Sequence, residues 1–92
     1  MRSPIIELNR AVAVGMAEGP AVALAIVDQL VHAPALKAYH LLPSVRGDLL
    51  YKLGRFEDAR AAFASAAELA GNRRERDLML RRAAEAASNA PK

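Results

Sequence analysis

Residues 47–72, GDLLYKLGRFEDARAAFASAAELAGN, decide the fold of this chain. They read as one helix, a tight stop and a second helix. Gly47 falls where two helices approach closely, Leu50 and Leu53 fill the inner face of the first helix, and Gly54 ends it. Phe56, Ala59, Phe63 and Ala66 then recur at i, i+3, i+7 and i+10 on the second helix, so large and small residues alternate on one stripe. Every one of these positions is explained by packing, and none brings chemistry of its own.

That order of small, large, stop, aromatic and small residues resembles the tetratricopeptide (TPR) repeat, a helix-turn-helix unit of about 34 residues. Gly47, Leu50, Gly54, Phe56, Ala59, Phe63 and Ala66 match its pattern; Pro43 stands where Trp is usual and Gly71 where Pro is usual. The resemblance implies an all-α, TPR-like helical repeat, with peptides bound on a wall lined by the first helix of each pair.

Outward from this repeat, the rest of the chain also reads as helix. Ser3 with Pro4 is a helix start, followed by Ile5, Leu8, Val12 and Met16 at helical spacing, so a first helix is expected from Pro4 to about Ala17. Glu18-Gly19-Pro20 stops it and starts a second, to about Val31, whose Val22, Leu24, Ile26, Val27, Leu30 and Val31 surround most of the circumference and predict burial between neighbours. His32 to Lys37 is a connection. A third helix is expected from about His40 to Leu53, because Pro43 in a first turn has no intrahelical N–H bond to lose. The fourth runs to about Ala70, and Asn72 with Glu75 is a capping-box-like start for a fifth, Arg73 to about Ala87, with Ser88 to Lys92 fraying.

Gly19 and Gly54 lie 35 residues apart, each between two helical segments, which makes the first two helices a degenerate copy of the later pair. The expectation is a single domain over residues 1–92: a first repeat at about 4–32, a second at about 40–71, and a capping helix at about 73–87. That last helix would turn Leu78, Met79 and Ala83 inward and its arginines, Arg73, Arg74, Arg76, Arg81 and Arg82, mostly outward. A polar terminal helix suits the end of a short solenoid.

Composition narrows the function classes. With 92 residues there is room for one modest core, and with no Cys there is neither a disulfide framework nor a thiolate metal site, as expected of a cytoplasmic chain. No apolar run reaches membrane-spanning length, and Met1-Arg2-Ser3-Pro4 lacks the features of a signal peptide, so no membrane partner is expected. His32 and His40 have no second ligand at metal spacing, the serines lack a nucleophile-elbow setting, and the glycines form no phosphate loop. The expectation is a non-enzyme without cofactor or metal. Net charge is +3. Arg73, Arg74 and Arg76 open a helix whose positive dipole end gains nothing from added cations, which leaves a basic nucleic-acid binder as an alternative. Against it, no aromatics are interleaved for base stacking, and Glu75 and Asp77 dilute the charge.

In the TPR register the concave wall would carry Asn9, Ala13 and Met16 from the first pair and Ser44, Asp48, Tyr51 and Lys52 from the second. Tyr51 has a second reading, as a ring packed under the fifth helix.

A closer resemblance lies in Leu8-Asn9-Arg10-Ala11-Val12-Ala13, Glu18-Gly19-Pro20, Tyr39-His40-Leu41-Leu42-Pro43 and Leu53-Gly54-Arg55. Together these are similar to the C-terminal extension of one group of bacterial extracytoplasmic-function (ECF) RNA polymerase sigma factors, over Ser3 to Arg82. The resemblance implies an excised regulatory domain that modulates transcription initiation through contacts with the sigma core or with RNA polymerase. Nothing in the chain corresponds to the promoter-binding sigma regions. Asn9, Arg10, Tyr39 and His40 are the positions to look to for specificity, since packing explains the apolar residues around them. The other reading is a freestanding TPR adaptor that binds a peptide in its groove.

Overall fold

The computed structural model describes residues 3–90, which form five α-helices and no strand. In chain order these are α1 (Pro4–Glu18), α2 (Pro20–Leu30), α3 (Leu41–Lys52), α4 (Phe56–Leu69) and α5 (Arg73–Asn89), with a short 3₁₀ turn at Pro34–Leu36 between α2 and α3. Each helix packs on the next in sequence. Met1-Arg2, part of the start read as lacking signal-peptide features, and Pro91-Lys92, part of the segment expected to fray, lie outside the described residues.

The helix ends follow the sequence signals. Ser3 Oγ accepts from the Ile5 N–H at 3.3 Å with Pro4 as first helical residue, and Asn72 Oδ1 accepts from the Glu75 N–H at 2.8 Å at the start of α5. At the end of α3, the Gly54 N–H reaches the Tyr51 carbonyl at 3.0 Å and the Arg55 N–H reaches the Leu50 carbonyl at 2.9 Å. That paired reversal requires the left-handed φ of +77° that Gly54 adopts.

Two contacts define the hairpins. A Cβ at Gly15 would lie 2.9 Å from the Ala23 Cβ, and Gly15 and Ala23 are each four residues from Gly19, the sole link between α1 and α2. A Cβ at Gly47 would lie 2.8 Å from the Phe63 ring, and these two are each eight residues from Arg55 in the turn between α3 and α4. Contacts placed symmetrically about a turn are those of antiparallel helices. The core runs along this row of helices through Leu8, Leu24, Val27, Leu50, Phe63 and Met79, all buried.

Several sequence expectations shift. On α1 the buried residues are Leu8 and Ala11, while Ile5, Val12 and Met16 stay exposed, because the side of α1 that meets α2 closely carries the small residues Ala11 and Gly15. On α2 only Ala23, Leu24 and Val27 are buried; Val22, and Val31 at the cap just past the helix, face outward because α1 and α3 cover this helix on two sides rather than all round. Leu53 is exposed, since it sits at the cap beyond the last turn of α3. Leu78 is exposed as well: α5 buries Met79, Ala83 and Ala86 at i, i+4 and i+7, a stripe from which Leu78 is rotated away. Ser88 and Asn89 are helical, not frayed. The Ser88 hydroxyl and the Asn89 amide both donate to the Glu85 carbonyl, and the amide also donates to the Tyr51 hydroxyl at 3.0 Å.

Candidate functional site

A groove of about 350 Å³ opens between α1, α3 and α5. It is built from positions one turn apart: Val12 and Met16 on α1, and Ser44, Asp48 and Lys52 on α3. Arg82 on α5 closes it, and Gly15 and Leu49 line its apolar floor. Met16 is 86% exposed, which makes it an adaptable apolar contact at the rim.

Asp48 is the electrostatic centre of this groove. Its Oδ1 accepts from Arg82 Nη2 at 2.8 Å and its Oδ2 lies 3.1 Å from Lys52 Nζ, so each carboxylate oxygen faces one cation. Partial burial pushes the Asp48 carboxyl up, but the hydrogen bonds from Arg82 and Lys52, with the charges behind them, hold it below its ordinary value. The Arg82 guanidinium is also stacked 4.8 Å from the centroid of the buried Phe63 ring, which fixes its plane. Two cations against one carboxylate leave the groove with an excess positive charge over apolar walls.

Of the residues singled out in the sequence, Met16, Asp48 and Lys52 come together here, with Ser44 beside them. Asn9 and Arg10 do not line the groove; both are exposed on α1, and Arg10 Nη2 pairs with Glu7 at 3.0 Å. Tyr39 and His40 lie at the start of α3, their rings edge to face at 6.1 Å. Tyr39 packs on the core, and His40 Nε2 lies 3.5 Å from a Glu75 carboxylate oxygen. Glu75 thus ties the start of α5 to the start of α3. Tyr51 meets Phe56 edge to face at 5.1 Å and accepts from Asn89 through its hydroxyl, which makes it a joint between α3, α4 and α5.

Arg82 is the groove residue that the sequence reading misplaced, as an outward-facing arginine of a polar cap. The signal that points to it is spacing: it follows Asp48 by 34 residues. Arg73, Arg74 and Arg76 are exposed at the start of α5, away from the groove.

Among the described residues, no polar or charged side chain is buried, and no group of three or more His, Asp or Glu is placed to hold a metal ion. No described helix is long and apolar enough to cross a membrane. No family model matches the chain. No solved structure matches it either. An uncharacterized protein of Rhizobium meliloti (strain 1021) is similar to it, 49% identical over 70 residues that make up 76% of this chain and 16% of that protein. The chain therefore spans less than a fifth of that relative's length.

Proposed function

We propose that the chain is a TPR-like interaction domain of an ECF-type RNA polymerase sigma factor, modulating transcription initiation through protein contacts made in the α1–α3–α5 groove. In this reading α1 with α2 and α3 with α4 are the two repeats, and α5 is the capping helix. The observation that carries it is the groove itself: its walls come from the first helix of each pair and from the cap, and its ion pair joins residues one 34-residue repeat apart. Further support comes from the sigma-extension resemblance over Ser3 to Arg82 and from the small share of its much longer relative that the chain matches.

The groove binds by surface, not by reaction. Met16, Val12 and Leu49 supply apolar contact, while Lys52 and Arg82 orient an approaching acceptor and Asp48 holds both cations in place. A segment of the sigma core, or of RNA polymerase, is the proposed occupant. A freestanding adaptor would use the same groove without any sigma region.

The test is transcription in vitro with the full-length parent sigma factor, with the parent lacking this domain, and with Met16→Ala/Lys52→Ala in the full-length protein. Deletion is expected to change output from the target promoter while the core stays folded, and the double substitution to reproduce part of that change. Unchanged transcription in both variants would overturn the sigma reading. Binding of the isolated chain to DNA or RNA with a steep salt dependence, lost on replacing Arg73, Arg74 and Arg76, would move the assignment to the nucleic-acid alternative.

A further inference from the structure

A second concavity, larger than the groove and sharing no residue with it, lies on a different face of α3. It is an open trough of about 620 Å³ walled by α2 on one side and α4 on the other. Its floor is apolar and buried, formed by Leu36 of the 3₁₀ turn, Leu42 at the start of α3 and Ala62 of α4.

The trough has width because the α4 wall presents Ala61, Ala62 and Ser65, side chains too short to reach across. Its rim keeps two large apolar residues in solvent, Val31 at 48% and Leu69 at 36% exposure. From Ala61 to Leu69 the wall runs eight residues, or about 12 Å, which is roughly two helical turns. That length suits apolar side chains projected at i, i+3 or i+4, and i+7 from a helix laid in the trough.

Charge chooses the partner. The one carboxylate in the lining, Asp28, is taken by Arg46, whose Nε donates to Asp28 Oδ1 at 2.8 Å. Lys37 and His32, also in the lining, have no carboxylate partner among the described residues. The unspent charge around this apolar floor is therefore the positive charge of Lys37, and the His32 ring and the Ser65 hydroxyl beside it can donate hydrogen bonds.

We infer that the trough between α2 and α4 is a second docking surface, which takes an acidic amphipathic helix of a partner protein. Apolar side chains of that helix sit over Leu36, Leu42 and Ala62 and cover Val31 and Leu69. Its flanking carboxylates meet Lys37 and His32. The surface works independently of the groove.

The experiment uses the whole chain and two labelled helical peptides of the same leucine spacing, one with glutamates flanking the leucines and one with lysines in their place. Fluorescence anisotropy is expected to show the acidic peptide binding about fivefold tighter or more. Lys37→Glu is expected to remove that preference. Ala61→Trp, at an exposed position, is expected to fill the trough and abolish binding of both peptides with the helical circular dichroism unchanged; Ser65→Trp serves if it does not fold. Lys52→Ala, in the groove, is expected to leave binding unchanged. The inference is overturned if neither peptide binds at millimolar concentration, if the two bind equally, if filling the trough has no effect, or if decanoate alone binds there while the peptides do not.

Discussion

Asp48 and Arg82 stand 34 residues apart in the chain and 2.8 Å apart in the fold, and the pair fastens α5 across the end of the groove. Because Arg82 is also stacked on the buried Phe63 ring, the ion pair, the ring and the close approach of Gly47 to that ring form one connected unit. A change at any of them is felt at the others, so their effects are expected to be non-additive.

Phe63 has no exposed surface, and it is the largest of the fully buried side chains. Phe63→Ala is expected to cost about 3–5 kcal/mol, read as a shift in the urea midpoint. In a domain of this size that is a large share of the total. A loss below about 1 kcal/mol would show that the ring does not carry the packing assigned to it.

Gly47 and Gly71 give opposite expectations from the same chemical change. A methyl at Gly47 meets the Phe63 ring at 2.8 Å, and that ring has no free space to retreat into; a methyl at Gly71 meets nothing within 4 Å. Gly47→Ala is expected to cost about 1–3 kcal/mol by overpacking, and Gly71→Ala to stay within about 0.5 kcal/mol. Equal thermal midpoints for the two variants would contradict the close α3–α4 approach.

Asp48 predicts an acid-side dependence of stability. Its folded pKa lies below the ordinary 3.8, so its contribution is fully present above pH 3.8 and is lost as the pH falls through the lowered folded value. The carboxylate is partly exposed, which limits the contribution to about 1 kcal/mol or less. Subtracting the Asp48→Asn urea midpoint from that of the wild type at each pH should give a positive difference at neutral pH that shrinks below 3.8. A difference that grows toward acid pH would reverse the assigned sign.

Asn72 caps α5 through its side-chain oxygen, while Glu75, the other half of a capping box, reaches instead to His40. Asn72→Ala is expected to cost about 1 kcal/mol. His40→Ala should cost less, because its contact with Glu75 is long and partly solvated. Amide hydrogen exchange in the first turn of α5 checks the difference between the two.

The sequence by itself determined the helices and their ends. Ser3-Pro4, Glu18-Gly19-Pro20, Gly54 and Asn72 act within a few residues of where they stand, so the five segments are placed to within one or two residues of the folded helices. It also marked Gly47 as a point of close helix approach and Phe63 as a packing position on the facing helix; that the Phe63 ring is what meets Gly47 is decided by the fold. Which face of each helix is buried was another matter. Apolar spacing on α1 chose Ile5, Leu8, Val12 and Met16, yet of these the tertiary structure buries only Leu8, together with Ala11, since helix approach is limited by the smallest side chains and Ala11 and Gly15 lie on that side. The groove shows the same division. Met16, Asp48 and Lys52 were legible as the surface of first helices, but Arg82 looked like one of many solvated arginines until the fold brought α5 against α3. Local signals are written in neighbouring residues; a contact across 34 residues exists only once the helices between them have packed.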